Sequence, residues 1–407
     1  MLNKNGEREL AYVVLIDGIE PIPGYDRVET AIVGGWHVIV QKDQFKVSDP
    51  AIYFEIDSRV PKDKECFAFL EKRNYKIKTL KMCKTISQGL LMHASDFGWE
   101  IIFDGTKTPY IYDGEKVHYA DDESRFLTKI LGVTYADEED NQRKAPSVDK
   151  YKKMAQRHPS IFKKPWARWL MKRSWGRKLM FMFFGKKKDK KGGWPSWVQK
   201  TDEERIENMP WILADKTKKW IATEKVDGSS TTFTMKRGKC GKVEFYVCSR
   251  NVCFDSVDKP CYYDTNIYWE MAEKYHMFDV LKRFLDNYPE VEWVTIQGET
   301  YGEGVQKNTY DINGHDFKAF NLIDSVRGRW NSSQMKGLLE CQWEIPCVPI
   351  LDGNFIMPDT VEELRDYVNS ETSTINHKMK EGIVFRSLDG VQSFKCVSPE
   401  YLLKFHS

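Results

Sequence analysis

Thr223-Glu-Lys-Val-Asp-Gly-Ser-Ser230 stands between two strand-like runs, Trp220-Ile-Ala222 before it and Thr231-Thr-Phe-Thr234 after it. A lysine flanked by strands, with Asp-Gly two and three positions on, suits an activated nucleophile. Strand alternation places Lys225 and Asp227 on one face, and Gly228 lets the backbone come close to a bound ligand. Alone, K-x-D-G decides little, because a strand lysine before an Asp-Gly turn is a common local pattern. Its weight comes from four later segments of the chain.

Cys248-Ser-Arg-Asn251 comes next, then Thr295-Ile-Gln-Gly-Glu-Thr-Tyr-Gly-Glu-Gly-Val-Gln306, a strand ending in a carboxylate and a Gly-rich turn. Phe317-Lys-Ala-Phe-Asn-Leu-Ile323 reads as an aromatic strand, and Glu381-Gly-Ile-Val-Phe-Arg386 with Ser393-Phe-Lys-Cys396 as a late strand pair. From about residue 205 to 404 this order resembles the covalent nucleotidyltransferase superfamily of ATP-dependent DNA ligases, RNA ligases and mRNA capping enzymes. On that resemblance Lys225 is the nucleophile of motif I and Arg250 the arginine of motif Ia. Glu299 matches motif III, Phe320 motif IIIa, Glu381 motif IV and Lys395 motif V. DNA ligases and capping enzymes carry an OB domain after motif V, whereas only Cys396 to Ser407 follow here, too few for a domain. The arrangement is more similar to RNA ligases of the Deinococcus and Naegleria type, with the OB module in front. Thr201-Asp-Glu-Glu-Arg-Ile-Glu-Asn208 and Tyr401-Leu-Leu-Lys404 resemble that group as well. Val397 departs from it, standing where many RNA ligases have a second lysine, and so does Asn321, where an Asp often follows the motif IIIa ring.

The resemblance implies ATP as AMP donor and Mg²⁺ or Mn²⁺ as its metal. Holding Lys225 neutral near pH 7 costs roughly 4–5 kcal/mol, and a metal beside the amine favours that neutral form. Asp227, Glu299 and Glu381 are then expected to hold the metal, directly or through its waters. Lys395 is expected on the α-phosphate, Arg250 on a phosphate or the ribose, and Arg205 on the outer phosphates. Phe320 is expected to stack on adenine and Glu224 to accept from its amino group. Lys404 is a candidate for the phosphate contact that Val397 cannot make. The implied catalytic set is Lys225, Lys395, Glu381 and Asp227. The implied reaction has three displacements: Lys225 takes AMP from ATP, the AMP passes to a 5′-phosphate end, and a 3′-hydroxyl displaces it. A DNA ligase, a GTP-using capping enzyme and an inactive nucleic-acid-binding protein are the alternatives.

Ahead of this half, Tyr12-Val-Val-Leu-Ile-Asp17, Thr30-Ala-Ile-Val33, Trp36-His-Val-Ile-Val40 and Ala51-Ile-Tyr-Phe-Glu-Ile56 read as short strands. The Pro21/Pro23/Gly24 cluster is expected to end the first, and Gly34-Gly35 to turn between the next two. Such spacing fits a small OB-type barrel. The expected fold class is α+β: an OB-like nucleic-acid-binding domain at 1–120, a linker and basic-aromatic arm at 121–200, and at 201–407 a nucleotidyltransferase domain of antiparallel sheets flanked by helices.

The 407 residues carry a formal net charge of only +2, but it is unevenly spread. An acidic, loop-like stretch at 105–145 is followed, from Arg143 to Lys200, by nineteen Lys/Arg against two Asp, which leaves the remainder acidic. Bases alternate with rings in Lys163-Lys-Pro-Trp-Ala-Arg-Trp169, Lys172-Arg-Ser-Trp-Gly-Arg-Lys178 and Phe181-Met-Phe-Phe184, before the lysines at 186–191. Three readings of the arm from Lys163 to Lys191 stay open: a nucleic-acid contact, a helix with its rings in the core, or an amphipathic helix touching a membrane or protein. The nine cysteines, among them Cys66, Cys240 and Cys396, form no C-x-x-C pair, which argues against a disulfide framework or zinc site. No signal peptide or membrane span is legible, so the expectation is a cytoplasmic or otherwise intracellular monomer. Its expected partners are RNA ends or a nicked RNA duplex, with an RNA/DNA hybrid as the variant. His158 and His315 are expected to be structural or exposed.

Overall fold

The computed structural model describes residues 1–3, 7–103, 109–112, 114, 117–118, 126–136, 161, 164–184, 194–238, 241–254, 261, 263 and 265–406. Most of the acidic stretch at 105–145, His158, Lys163, the lysines at 186–191 and Cys240 lie outside those residues.

In the N-terminal module, strands Ala11–Leu15 and Leu90–Met92 flank Pro50–Phe54 in one antiparallel sheet. Gly18–Ile22, Tyr25–Val33 and Trp36–Gln41 form another. Val33 pairs with Trp36, so Gly34-Gly35 makes the expected tight turn. The proline cluster behaves differently from expectation. Pro21 lies inside the edge strand Gly18–Ile22, with a register shift just after it; at an edge a missing N–H costs no ladder bond. Phe126–Ala136, past the expected boundary at 120, packs against this module, with Leu127, Leu131 and Val133 in one core with Leu10, Phe54 and Phe67.

The C-terminal half is built on two sheets. The larger runs Cys253–Phe254, Val243–Ser249, Ser229–Arg237, Trp293–Gly302, His315–Asp324, Gly328–Arg329, all antiparallel. Helices Ile267–Lys274, Met277–Asn287 and Ser332–Trp343 bury one face of it, over Phe233, Met235, Val294, Ile296 and Phe317. The opposite face is polar, as strand alternation requires. Its buried Thr234 and Gln297 bond to the incoming segment, Thr234 accepting from the Trp197 indole at 3.2 Å and Gln297 donating to the Gln199 carbonyl at 2.8 Å. Glu299 lies on that polar face.

The smaller sheet runs Glu204–Arg205, Ser393–Val397, Gly382–Ser387, Trp220–Lys225, Ile350–Phe355. Trp220, Ala222, Ile383, Phe385, Phe394 and Cys396 pack beneath helix Val361–Ser370. The register Lys225↔Gly382, Thr223↔Val384 and Val384↔Lys395 then puts Lys225 and Lys395 together on the other face.

The two halves meet along a seam of buried charge. Arg8 contacts Asp202 at 3.0 Å and Glu55 at 3.1 Å. Asn208 accepts from the Trp36 indole at 2.7 Å and the Tyr12 hydroxyl at 3.1 Å, and donates to Glu55 at 2.7 Å. Arg365 reaches across to the Gly35 carbonyl at 2.8 Å while pairing with Glu207 at 2.9 Å. Val397 and Leu402 add apolar contact, joining Tyr12, Trp36 and Tyr53 in one cluster. That contact explains the valine: its position faces the barrel's apolar residues.

Candidate active site

Lys225 ends its strand, and its amine lies 2.6 Å from Glu381 Oε2. Gly228 closes the turn after it against the neighbouring strand, where an added Cβ would stand 2.4 Å from the Thr300 carbonyl oxygen and 2.9 Å from Glu299 Cγ. The close approach that needs glycine is therefore to the protein's own strand, and it brings Glu299 to the lysine. Phe320 is the extra residue of a bulge, since Gln297 pairs with Asn321 but Gly298 with Ala319. The bulge sends its ring beside Val226, Tyr301 and Tyr310.

Three carboxylates surround one amine. Burial alone would lower the Lys225 amine, yet Glu381, Glu299 and Asp227 hold it above the ordinary lysine value. Burial pushes Glu299 up to about 8, with Glu381 and Asp227 adding to that and Lys225 opposing. Glu381 is raised too, by burial and then by Asp227, against the pull of Lys225. Asp227 goes the other way. Burial would raise it, but His406 at 3.4 Å, Lys225 and the Tyr401 hydroxyl at 2.8 Å keep it low.

Beside this cluster lies its converse, one carboxylate among cations. Asp202 contacts Lys395 at 2.9 Å, Arg8 at 3.0 Å and Arg250 at 3.1 Å. Burial would raise its carboxyl, but those three hold it well below the usual range. Burial brings the Lys395 amine down to about 8, since Asp202 is outweighed once Arg8, Arg205 and Lys225 add their repulsion. Arg250 also lies over the Tyr135 ring, 5.2 Å from its centre, with 44% of its side chain exposed.

Three expected residues stand apart from the amine. Glu224 points away from Lys225, as neighbouring residues on a strand must; it is 1% exposed and accepts from Ser373 and from the amide and hydroxyl of Thr374, so it anchors that loop. Arg205 pairs in register with Lys395, but its guanidinium is buried against Asp57 of the N-terminal module at 3.0 Å. Lys404 is exposed on the last helix, its amine over the Phe405 ring, and no ion pair among the described residues joins it to the cluster. His315 is structural as expected, 3.0 Å from Glu270. Asp202, Arg8, Tyr401 and His406 escaped the sequence reading, although Asp202 and Tyr401 lie inside stretches singled out there. A buried tyrosine at the start of a short terminal helix is the signal that could have found the grip on Asp227.

Among the described residues no three His, Cys, Asp or Glu side chains enclose an ion by themselves. Glu381 and Glu299 are nonetheless buried beside the same amine, with Asp227 near it. An all-carboxylate set fits a hard divalent cation that brings water or phosphate oxygens of its own.

The fold and this face resemble those expected of the covalent nucleotidyltransferases. Residues 10–94 match an OB-fold domain model, and residues 218–405 match the RNA ligase family. Three structures of Naegleria gruberi RNA ligase superpose over 98% of this chain and 99% of theirs. They are a complex with pyrophosphate (25% identity, TM-score 0.68), a substituted form with AMP and Mn (26%, 0.67) and another with ATP and Mn (25%, 0.70). No curated protein sequence matches the chain. Over residues 218–405 the chain is thus similar to the RNA ligases, with the OB-fold match lying in front of that stretch. No described helix is long and apolar enough to cross a membrane.

Proposed function

We propose that the chain is an RNA ligase that seals 5′-phosphate and 3′-hydroxyl ends at nicks in RNA duplexes, using ATP and a lysyl-AMP intermediate on Lys225. The observation that carries this reading is the single amine set 2.6 Å from Glu381 on the face it shares with Lys395. In the first step the Lys225 nitrogen bonds the α-phosphorus of ATP, the bond to pyrophosphate breaks, and the amine gives up its proton. Next a terminal 5′-phosphate oxygen displaces Lys225 from AMP. Finally the 3′-hydroxyl oxygen attacks the activated 5′-phosphorus and AMP departs.

Without a ligand, the carboxylates favour ammonium. A divalent cation, Mg²⁺ or Mn²⁺, held by Glu299, Glu381 and Asp227 directly or through water, would offset that charge, favour the neutral amine and polarise the α-phosphate. Glu381 is the nearest oxygen to the amine and so orients it toward phosphorus. Lys395 stabilises charge on the phosphate as pyrophosphate leaves. Arg250, half in solvent, meets an outer phosphate or the ribose, and Phe320 gives the base a ring to stack on. Tyr401 and His406 fix Asp227 beneath the amine.

Mass spectrometry after ATP treatment tests the reading. The wild type gains the mass of AMP and Lys225→Ala does not; a mass gain on both would remove Lys225 from the mechanism. Labelled GTP in place of ATP, and nicks with RNA or DNA 3′ ends, separate ligation of RNA from capping and from DNA sealing.

A further inference from the structure

The reaction leaves unused the basic-aromatic segment ahead of the catalytic half. Pro165–Met171 and Ser174–Phe184 form a helical hairpin. Ala167 and Met180 are its buried centre, with Leu170 and Met171 packed around them. The helices approach closely at Gly176, where an added Cβ would stand 2.2 Å from the Leu170 carbonyl oxygen. Met180 and Ala167 thus use up the inward face, and the large rings are left outside it. Trp166, Trp169 and Trp175 are 50%, 50% and 53% exposed. A ring destined for the core would not be left half in water, so the core reading of these residues fails.

The hairpin's charge is of one sign. Lys164, Arg168, Lys172, Arg173, Arg177 and Lys178 lie in its sequence, and no Asp or Glu lies between residues 164 and 184. Arg173 lies over the Trp169 ring, 3.7 Å from its centre, and Trp169 meets Trp175 edge-on at 6.3 Å. A guanidinium stacked on an indole keeps both flat and pre-oriented, and offers adjacent ring and cationic surfaces. Cations neutralise phosphates, while exposed rings stack on unpaired bases whatever their sequence.

We propose that the hairpin is an RNA-docking surface that holds unpaired nucleotides of the substrate, with Trp166, Trp169 and Trp175 stacking on bases and Lys172, Arg173 and Lys178 meeting phosphates. The occupant is argued from charge complementarity, and it rests on and deepens the RNA-ligase reading by assigning a hold on RNA to residues that the adenylylation chemistry does not use. Single-stranded RNA suits it better than a closed duplex, whose base faces are already stacked.

Two variants of the full chain test this: Trp166→Ala/Trp169→Ala/Trp175→Ala, and Lys172→Gln/Arg173→Gln/Lys178→Gln. Both are compared with wild type for binding to labelled RNA, one a flush nicked duplex and one with an unpaired stretch at the break. The ring variant is expected to bind the unpaired substrate at least roughly tenfold more weakly. The charge variant is expected to bind both more weakly, with a shallower dependence on salt, by roughly 0.7–0.9 in log–log slope for each phosphate no longer neutralised. Self-adenylylation with ATP is unchanged in both. Equal affinity of wild type and variants for both RNAs overturns the proposal. So does a tryptophan-dependent hold on vesicles of anionic phospholipid with no effect on RNA. If the ring variant does not fold, the charge variant decides alone. Absence of self-adenylylation in the wild type would sink the ATP-ligase reading and leave the RNA-binding comparison intact.

Discussion

Two buried charge clusters lie a few residues apart, and they are built on opposite principles. Along the seam between the halves, Arg8, Glu55, Glu204 and Asn208 satisfy one another, and Glu55 is held down at about 2, against burial, by the Met1 amino group, Arg8 and Asn208. Around Lys225 the sums do not close. Three carboxylates face one amine, and Glu299 is pushed up to about 8. Asp202 joins the two regions, being one anion shared by a seam arginine and by Lys395 and Arg250. The difference teaches that a charge set closed on itself holds structure, whereas one left open is completed by a ligand. An excess of carboxylate calls for a cation, and an excess of cations beside it calls for phosphate.

The largest effect expected on stability comes from breaking the shared member. Asp202→Asn takes the shared anion from buried Lys395 and Arg8 and from half-exposed Arg250, and is expected to destabilise the chain by about 3 kcal/mol. Denaturant melts check this, and a loss under about 1 kcal/mol would show the seam to be held by its apolar contacts.

Glu299→Gln sharpens the comparison from the other side. The folded chain keeps the Glu299 proton up to about pH 8, while the unfolded chain releases it near 4.5. The folded state therefore binds more protons in that window, and stability declines as pH rises through it. The substitution is expected to raise stability at pH 7.5 by about 1–2 kcal/mol while slowing self-adenylylation. Stability curves at pH 5 and 7.5, with the AMP mass gain as the second reading, decide it; a loss of stability at both would contradict the open-cluster picture.

Glu55 has the opposite sign. Its depressed value means that its contribution is present above pH 4.5 and is lost as pH falls toward 2. Melting points of wild type and Glu55→Gln should converge as pH falls toward 2 and differ most near neutrality.

The smallest effect is expected from Tyr401→Phe. It removes one hydroxyl from Asp227 and should cost about 1 kcal/mol of stability, with self-adenylylation slowed more than the melting point is lowered. An unchanged rate would make the tyrosine's hold on Asp227 purely structural.

Much of the catalytic half was legible in residue order. Lys225, Glu299, Phe320, Glu381 and Lys395 were read from strand patterns and motif order; the structure brings Glu299 and Glu381 to Lys225 and puts Lys395 on the same sheet face, with Phe320 beside Val226. Alternation turns Glu224 away from Lys225, which it directly precedes. Arg205 and Lys404 stand apart for another reason. A charged residue near a motif does not reveal which partner holds it, and Asp57, which holds Arg205, lies 148 positions away.

The linear chain thus pointed to the groups proposed to do the chemistry, because strand periodicity and motif order are local properties, written in neighbouring residues. Only the three-dimensional fold decided how their charges balance. Arg8 and Asp202 are 194 positions apart, as are Asp227 and Tyr401 at 174, and burial, which raises Glu299 and lowers Lys395, exists only once distant segments have excluded water from between them.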